Sequence, residues 1–202
     1  MKHARADVTG PEPQSARERI LATAYELFTR RGIRNVGVDE VVEKANVAKA
    51  TLYRHFPSKD DLVLAFLELR ERLWTAEVID HQPTERAAGD PEGELLAIFD
   101  IFDEWFQRRT DYEACSFVKV LFELGTEGRI GEACLAHLGN IREIVRARAD
   151  RAGLRDPDGF AWSFNNLMKG AMVSAAEGDS EAARRARRMA AWLIEQDRKP
   201  SG

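Results

Sequence analysis

The sequence predicts an all-α chain of about nine helices, a small amino-terminal three-helix bundle followed by a larger helical body. Helix-start signals recur along its length, and apolar residues return at spacings of three and four behind each of them. No segment alternates apolar with polar residues as a half-buried strand would. The composition agrees, with Ala, Leu, Glu and Arg abundant among 44% hydrophobic and 32% charged residues.

Residues 1–14 contain Gly10, Pro11 and Pro13 without apolar periodicity and read as a flexible tail, with Lys2, His3 and Arg5 within reach of a phosphate or a minor groove. The folded chain opens at Ser15-Ala16-Arg17-Glu18, where the Ser hydroxyl accepts the third helical amide and the Glu carboxylate reaches back to the cap. Ile20, Ala24, Leu27 and Phe28 then recur at helical spacing until Gly32. A short helix follows from about Val38 to Ala45, with Gly37 as its cap, then a turn at Asn46-Val47-Ala48 and a second short helix from Lys49 to Phe56. Pro57 ends that helix because proline disfavours helical geometry in the residue before it.

A second capping box, Ser58-Lys59-Asp60-Asp61, opens a long helix through Leu62, Phe66, Leu69 and Leu73 to about Ile79. The polar stretch His81 to Asp90 holds Pro83 and Gly89 and reads as a loop. Beyond it, Asp90-Pro91 and Asp156-Pro157 place a capping Asp before a first-turn proline, and Gly125, Gly153 and Gly178 sit where helices stop. Helices are expected near 91–108, 112–124, 127–152, 157–177 and 180–197. The organisation is therefore a tail (1–14), a small domain (15–60) and a body (61–202), with the long helix 58–79 joining the last two.

Charge is unevenly spread. Residues 1–60 carry 11 Lys+Arg and 8 Asp+Glu, a balance of +3, against −7 for the remainder and −4 overall. A basic module on an acidic body is the pattern of a local nucleic-acid surface. No apolar run reaches the ~18 residues of a membrane span, and the start lacks a signal-peptide apolar region, so a cytoplasmic location is expected and no membrane partner. Cys115 and Cys134 lie 19 positions apart with no Cys/His cluster, which predicts buried thiols and neither a disulfide framework nor a zinc site. His3, His55, His81 and His137 belong to no catalytic or metal motif, so neither an enzyme nor a cofactor is expected.

A short helix, a tight turn and a second short helix with a polar and aromatic face make a helix-turn-helix between Val38 and Lys59. Leu52 and Phe56 face the core, leaving Lys49, Ala50, Thr51, Tyr53, Arg54 and His55 outward or sideways. Lys49 and Lys59 suit phosphates, Tyr53 and Thr51 offer hydroxyls, and small Ala50 permits close approach to a groove. Arg54 either reaches a guanine edge or a phosphate, or lies over the first helix and pairs with an acid; His55 is as often a packed residue as a phosphate contact.

The stretch Val38 to Leu62, VDEVVEKANVAKATLYRHFPSKDDL, resembles the DNA-binding signature of the tetracycline-repressor (TetR/AcrR) family, and the match extends over about Ser15 to Phe66. It departs from the family pattern at Asn46 for Gly, at Ala48 for a Ser or Thr cap and at Gly37 for a Thr or Ser. The resemblance implies a homodimeric regulator that binds a palindromic double-stranded operator through Gly37, Val38, Ala48 and the outward residues above. It further implies repression relieved by a small, largely apolar effector; an activator, or a regulator without an effector, is the alternative. It places an effector cavity in the aromatic-rich body, for which Phe102, Trp105, Cys115, Phe117, Trp162, Asn165 and Met168 are candidate lining residues. It also suggests a four-helix dimer interface from the last two helices, with Phe164, Leu167, Ala171, Met172, Ala175, Ala186, Met189 and Leu193 as candidates.

Overall fold

The computed structural model describes residues 15–107 and 115–199. The expected tail 1–14, and the first residues of the helix expected from 112, lie outside the described residues. Among the described residues there are nine helices and no strand; an isolated bridge pairs Leu154 with Arg198. In order these are α1 (Ala16–Arg31), α2 (Val38–Lys44), α3 (Lys49–His55), a composite α4 (59–87), α5 (Pro91–Gln107), α6 (Ser116–Leu124), α7 (Gly128–Arg151), α8 (Pro157–Ala176) and α9 (Ala182–Asp197).

The start signals act as their chemistry predicts. Ser15 and Glu18 form the reciprocal capping box, Asp90 accepts the amides of Glu92 and Gly93, and Asp156 accepts that of Gly159. Ser58 caps α4, its hydroxyl accepting the Asp61 amide and donating to the Asp61 carboxylate at 2.6 Å.

The loop expected over His81 to Asp90 is instead mostly helix. α4 is α-helical over Lys59–Arg70, π-helical over Glu71–His81 and α-helical again over Gln82–Ala87, and it turns off only at Ala88 and Gly89, both at positive φ. In the π-helical part each amide reaches one residue further back, as the Gln82 amide does to the Glu77 carbonyl. Pro83 sits in the first turn of the last stretch, where its missing N–H orphans the Ile79 carbonyl. Arg148 of α7 supplies the absent donor: Nη1 to the Ile79 carbonyl and Nη2 to the Asp80 carbonyl, both at 2.7 Å. A proline that reads as a helix breaker is thus tolerated through a donor 65 residues away in sequence.

The body core is aromatic and aliphatic. Phe99 and Phe102 of α5 are fully buried, and Phe99 meets Phe164 of α8 at 5.0 Å between ring centroids. Cys134, Leu138, Ile141 and Val145 form the buried stripe of α7, and Ala182, Ala183, Ala186, Ala190 and Ile194 that of α9. Burial pushes the Cys134 thiol up to about 11 and raises that of Cys115, so both stay protonated at neutral pH, in keeping with two free, unreactive cysteines. No helix among the described residues is long and apolar enough to cross a membrane.

Candidate nucleic-acid interface

The three amino-terminal helices and the start of α4 bury Ile20, Ala24, Phe28, Val41, Leu52, Phe56 and Leu62 in a hydrophobic cluster that continues into the body. Asn46 takes the left-handed conformation at φ 50, and the Val47 amide returns to the Val42 carbonyl at 3.2 Å, closing the end of α2 so that α3 can cross it. Asparagine enters this region more readily than other side chains, which is why it serves where the family pattern has glycine. Arg19 donates to the Ala45 carbonyl at 3.4 Å, and the Arg17 guanidinium lies 5.1 Å from the Phe56 ring centroid.

On α3, Leu52 is buried as its spacing requires, while Lys49, Ala50, Tyr53 and Arg54 are exposed and Thr51 and His55 half-buried. Tyr53, 42% exposed, is the large side chain that stands out from this face. Arg54 makes no ion pair among the described residues, so its head is open to an incoming partner. Lys49 pairs with Asp39 across the turn at 2.6 Å, and that hydrogen bond raises its pKa and keeps it cationic. Lys59 is half-buried and donates to the Ile33 carbonyl at 2.6 Å; it clamps α4 to the α1–α2 turn and has donors left for a phosphate. Asp39 is the element that sequence reading missed, since nothing local marks it as the partner of Lys49.

Gly37 and Ala48 occupy the N-caps of α2 and α3 in extended geometry, and neither helix has a side-chain cap. Ala48 is exposed and its backbone suits a capping hydroxyl. Ala48→Ser is therefore expected to stabilise the chain by about 1 kcal/mol, read as a rise in the urea midpoint at fixed protein concentration.

The body reaches this domain through α6. The Glu123 carboxylate accepts the backbone amides of Ile33, at 2.9 Å, and of Arg34, and the Lys119 ammonium donates to the Thr29 carbonyl at 2.7 Å. Gly32, at φ +80, passes so close that a Cβ there would lie 2.9 Å from a Glu123 oxygen. Arg129 of α7 adds an ion pair to Asp61 at the start of α4.

Of the other sequence-assigned residues, Phe102, Phe117, Asn165 and Met168 are buried in the body, and Trp105 and Cys115 half-buried there. Trp162 is not with them. It is 55% exposed on the outer side of α8, under the Arg142 guanidinium at 4.0 Å, because its neighbours Phe160, Ala161 and Phe164 take the inward positions. Of the residues expected at an interface, Phe164, Ala171, Met172 and Ala186 are buried within the chain, whereas Leu167, Ala175 and Leu193 are half-buried and Met189 is exposed. Each helix of the pair has two apolar faces, and sequence periodicity did not say which one packs inward.

Residues 20–66 match the family model for bacterial regulatory proteins of the tetR family. Among curated proteins, the chain is 44% identical over 52 residues to the HTH-type transcriptional activator FasR of Mycolicibacterium smegmatis, covering 26% of this chain and 24% of that protein. It is 33% identical over 100 residues to the uncharacterised HTH-type transcriptional regulator YvkB of Bacillus subtilis, half of each chain. These matches thus span a quarter to a half of the relatives' length. The likeness in fold extends further. SCO4454, a TetR-family transcriptional regulator from Streptomyces coelicolor, is similar with a TM-score of 0.82 and 27% identity, over 91% of this chain and 96% of that one. A transcriptional regulator from Saccharomonospora viridis in complex with choline has a TM-score of 0.68 at 21% identity, over 90% and 96% of the two chains. Residues 20–66 thus match the DNA-binding part of tetR-family regulatory proteins, and the all-α architecture as a whole is similar to that of TetR-family transcriptional regulators.

Proposed function

We propose that the chain is a homodimeric repressor that holds a palindromic operator and is released by a small, largely apolar effector. The observation that carries the DNA half is the outward face of α3, where Tyr53, Lys49, Ala50 and Arg54 stand exposed on a helix anchored from below by Leu52. Thr51, His55, Lys59, Gly37, Val38 and Ala48 border the same face and are proposed to position it on the backbone. Two copies related by a two-fold axis would present α3 to successive major grooves about 34–36 Å apart.

Support for the dimer comes from the outer side of α8 and α9. Trp162, Val173, Met189 and Trp192 are all exposed on these two helices, Trp192 by 62%, and a groove between them is lined by Leu167, Met189, Trp192 and Leu193 together with Ser163, Arg185 and Arg188. Exposed apolar side chains gathered on two adjacent helices are what a second copy would cover. Support for the effector comes from the aromatic interior around Phe102, Trp105, Phe117 and Met168, with Cys115 and Asn165 beside it. Release then follows if the effector favours a subunit arrangement with the wrong spacing of the two α3 helices.

In-vitro selection of bound DNA tests the core of this reading: a recovered palindrome with one-turn half-site spacing is expected, and no preference over random duplex would overturn it. With that operator, Tyr53→Ala is expected to weaken binding about 10- to 100-fold in fluorescence anisotropy, with helix content unchanged. Trp192→Glu is expected to give monomers in sedimentation velocity and, with the dimer lost, to abolish tight operator binding. An increase of transcription in the presence of the protein would favour the activator alternative, the activity in the name of FasR.

A further inference from the structure

Arg70 ends the first α-helical stretch of α4 and is only 6% exposed. Its Nη1 donates to the Tyr25 hydroxyl at 2.7 Å, and its guanidinium carbon lies 4.9 Å from the centroid of the Trp74 ring. Both of these partners are neutral. Among the described residues no carboxylate pairs with it, whereas the other two fully buried charges, Arg148 and Glu94, pair with each other. A guanidinium taken out of water without an opposing charge is strongly unfavourable unless an anion meets it.

The π-helical winding after Arg70 turns both Trp74 and Thr75 inward, and both are buried. Trp74 meets Trp105 at 4.4 Å and stacks on Phe102 at 6.1 Å, which gives the region an aromatic wall. The Cys115 thiol, at the start of α6, lies within the fields of Arg70 and of Lys169 on α8. Next to it in sequence the Ser116 hydroxyl is buried with no hydrogen-bond partner among the described residues, as are the Thr75 hydroxyl and the amide nitrogen of Asn165, one helical turn before Lys169. The charges of Arg70 and Lys169 thus both reach the Cys115 thiol, and Trp74, Trp105 and Phe102 form an aromatic wall on the Arg70 side.

We propose that this interior takes an effector with an acidic head and an aromatic or apolar body, its carboxylate or equivalent anion paired with Arg70 and its apolar part against Trp74, Trp105 and Phe102. The inference rests on the reading that the body holds an effector and adds its chemical class. Arg70 and Lys169 together exclude a cationic head at this end.

The test is a set of phenylalkanoic acids of increasing chain length and their primary amides, titrated into the full chain by calorimetry with tryptophan fluorescence as a second readout. At least one acid is expected to bind on the order of tenfold or more tighter than its amide and to release operator DNA. R70Q should bring the acid-to-amide ratio close to one, and R70K should keep much of it, with circular dichroism reporting that both variants are folded. If R70Q does not fold, the acid-to-amide ratio of the native chain decides the matter alone. Asp111 and Glu113 are controlled by a D111N/E113Q variant, in which the native preference is expected to persist; a preference that arises only in this variant would show an own-chain counter-ion and overturn the proposal. Amides that bind as tightly as acids overturn the charge assignment and leave an effector standing. Failure of acids and amides alike overturns both.

Discussion

Arg148→Met is expected to destabilise the chain by about 3–5 kcal/mol. Arg148 is 2% exposed and Glu94, its partner at 2.8 Å, is wholly buried. The guanidinium also donates to the carbonyls of Ile79 and Asp80, to the Asp80 carboxylate and to the Thr84 hydroxyl. Methionine would fill the volume and leave every one of these acceptors short of its donor, including the carbonyl that Pro83 orphaned. Urea unfolding at fixed protein concentration reads the loss. Removing both charges, as in E94L/R148M, is expected to cost less than adding the two single effects, because no buried charge is then left alone. The same network has a pH signature. Burial alone would raise the Glu94 carboxyl, but hydrogen bonds from Arg151 and Arg148 outweigh it and hold it below the usual value of 4.5. A depressed carboxylate pKa contributes stability that is present above the unfolded-state value and lost as the pH falls through the folded one. The acid limb of the native stability curve is therefore expected below pH 4.5, and E94Q should flatten it.

Glu123→Ala is expected to cost about 2–3 kcal/mol, with its effect on dynamics concentrated at the domain junction. One carboxylate holds two backbone amides of the α1–α2 turn, and its loss leaves both amides facing the half-buried space where the body meets the DNA-binding domain. Hydrogen exchange should quicken at Ile33 and Arg34, while the amides of α8 and α9 keep their native protection. An unchanged exchange rate at those two amides would show that the junction is held by other contacts, such as Lys119 to the Thr29 carbonyl. α6 touches the turn before α2 at one end and begins beside Arg70 at the other, so it links the proposed effector site to the proposed operator-binding helices.

The capping residues, the glycine stops and the helix-turn-helix were legible because each is a local matter: Ser15, Asp90 and Asp156 act on amides within three residues of themselves, and Leu52 and Phe56 are spaced by the helical repeat. Pro83 misled because its rescue comes from Arg148, on another helix. Trp162 and Phe164 illustrate the same limit: two aromatics two positions apart on α8, one outside and one fully buried. Periodicity finds that α8 and α9 are apolar on more than one side without saying which side meets the subunit's own core.

By itself the sequence determined the all-helical class, the helix borders near its caps, and the DNA-binding segment Val38 to Leu62, because these depend on short-range geometry and on side chains a few positions apart. Only the tertiary structure decided that α4 runs on through Pro83, that Glu123 ties the body to the α1–α2 turn, and that Arg70 lies buried without a described counter-charge. Those facts rest on pairings between residues from 45 to 90 positions apart, Arg70 with Tyr25 and Glu123 with Ile33. Packing brings such partners together, and no local pattern encodes it.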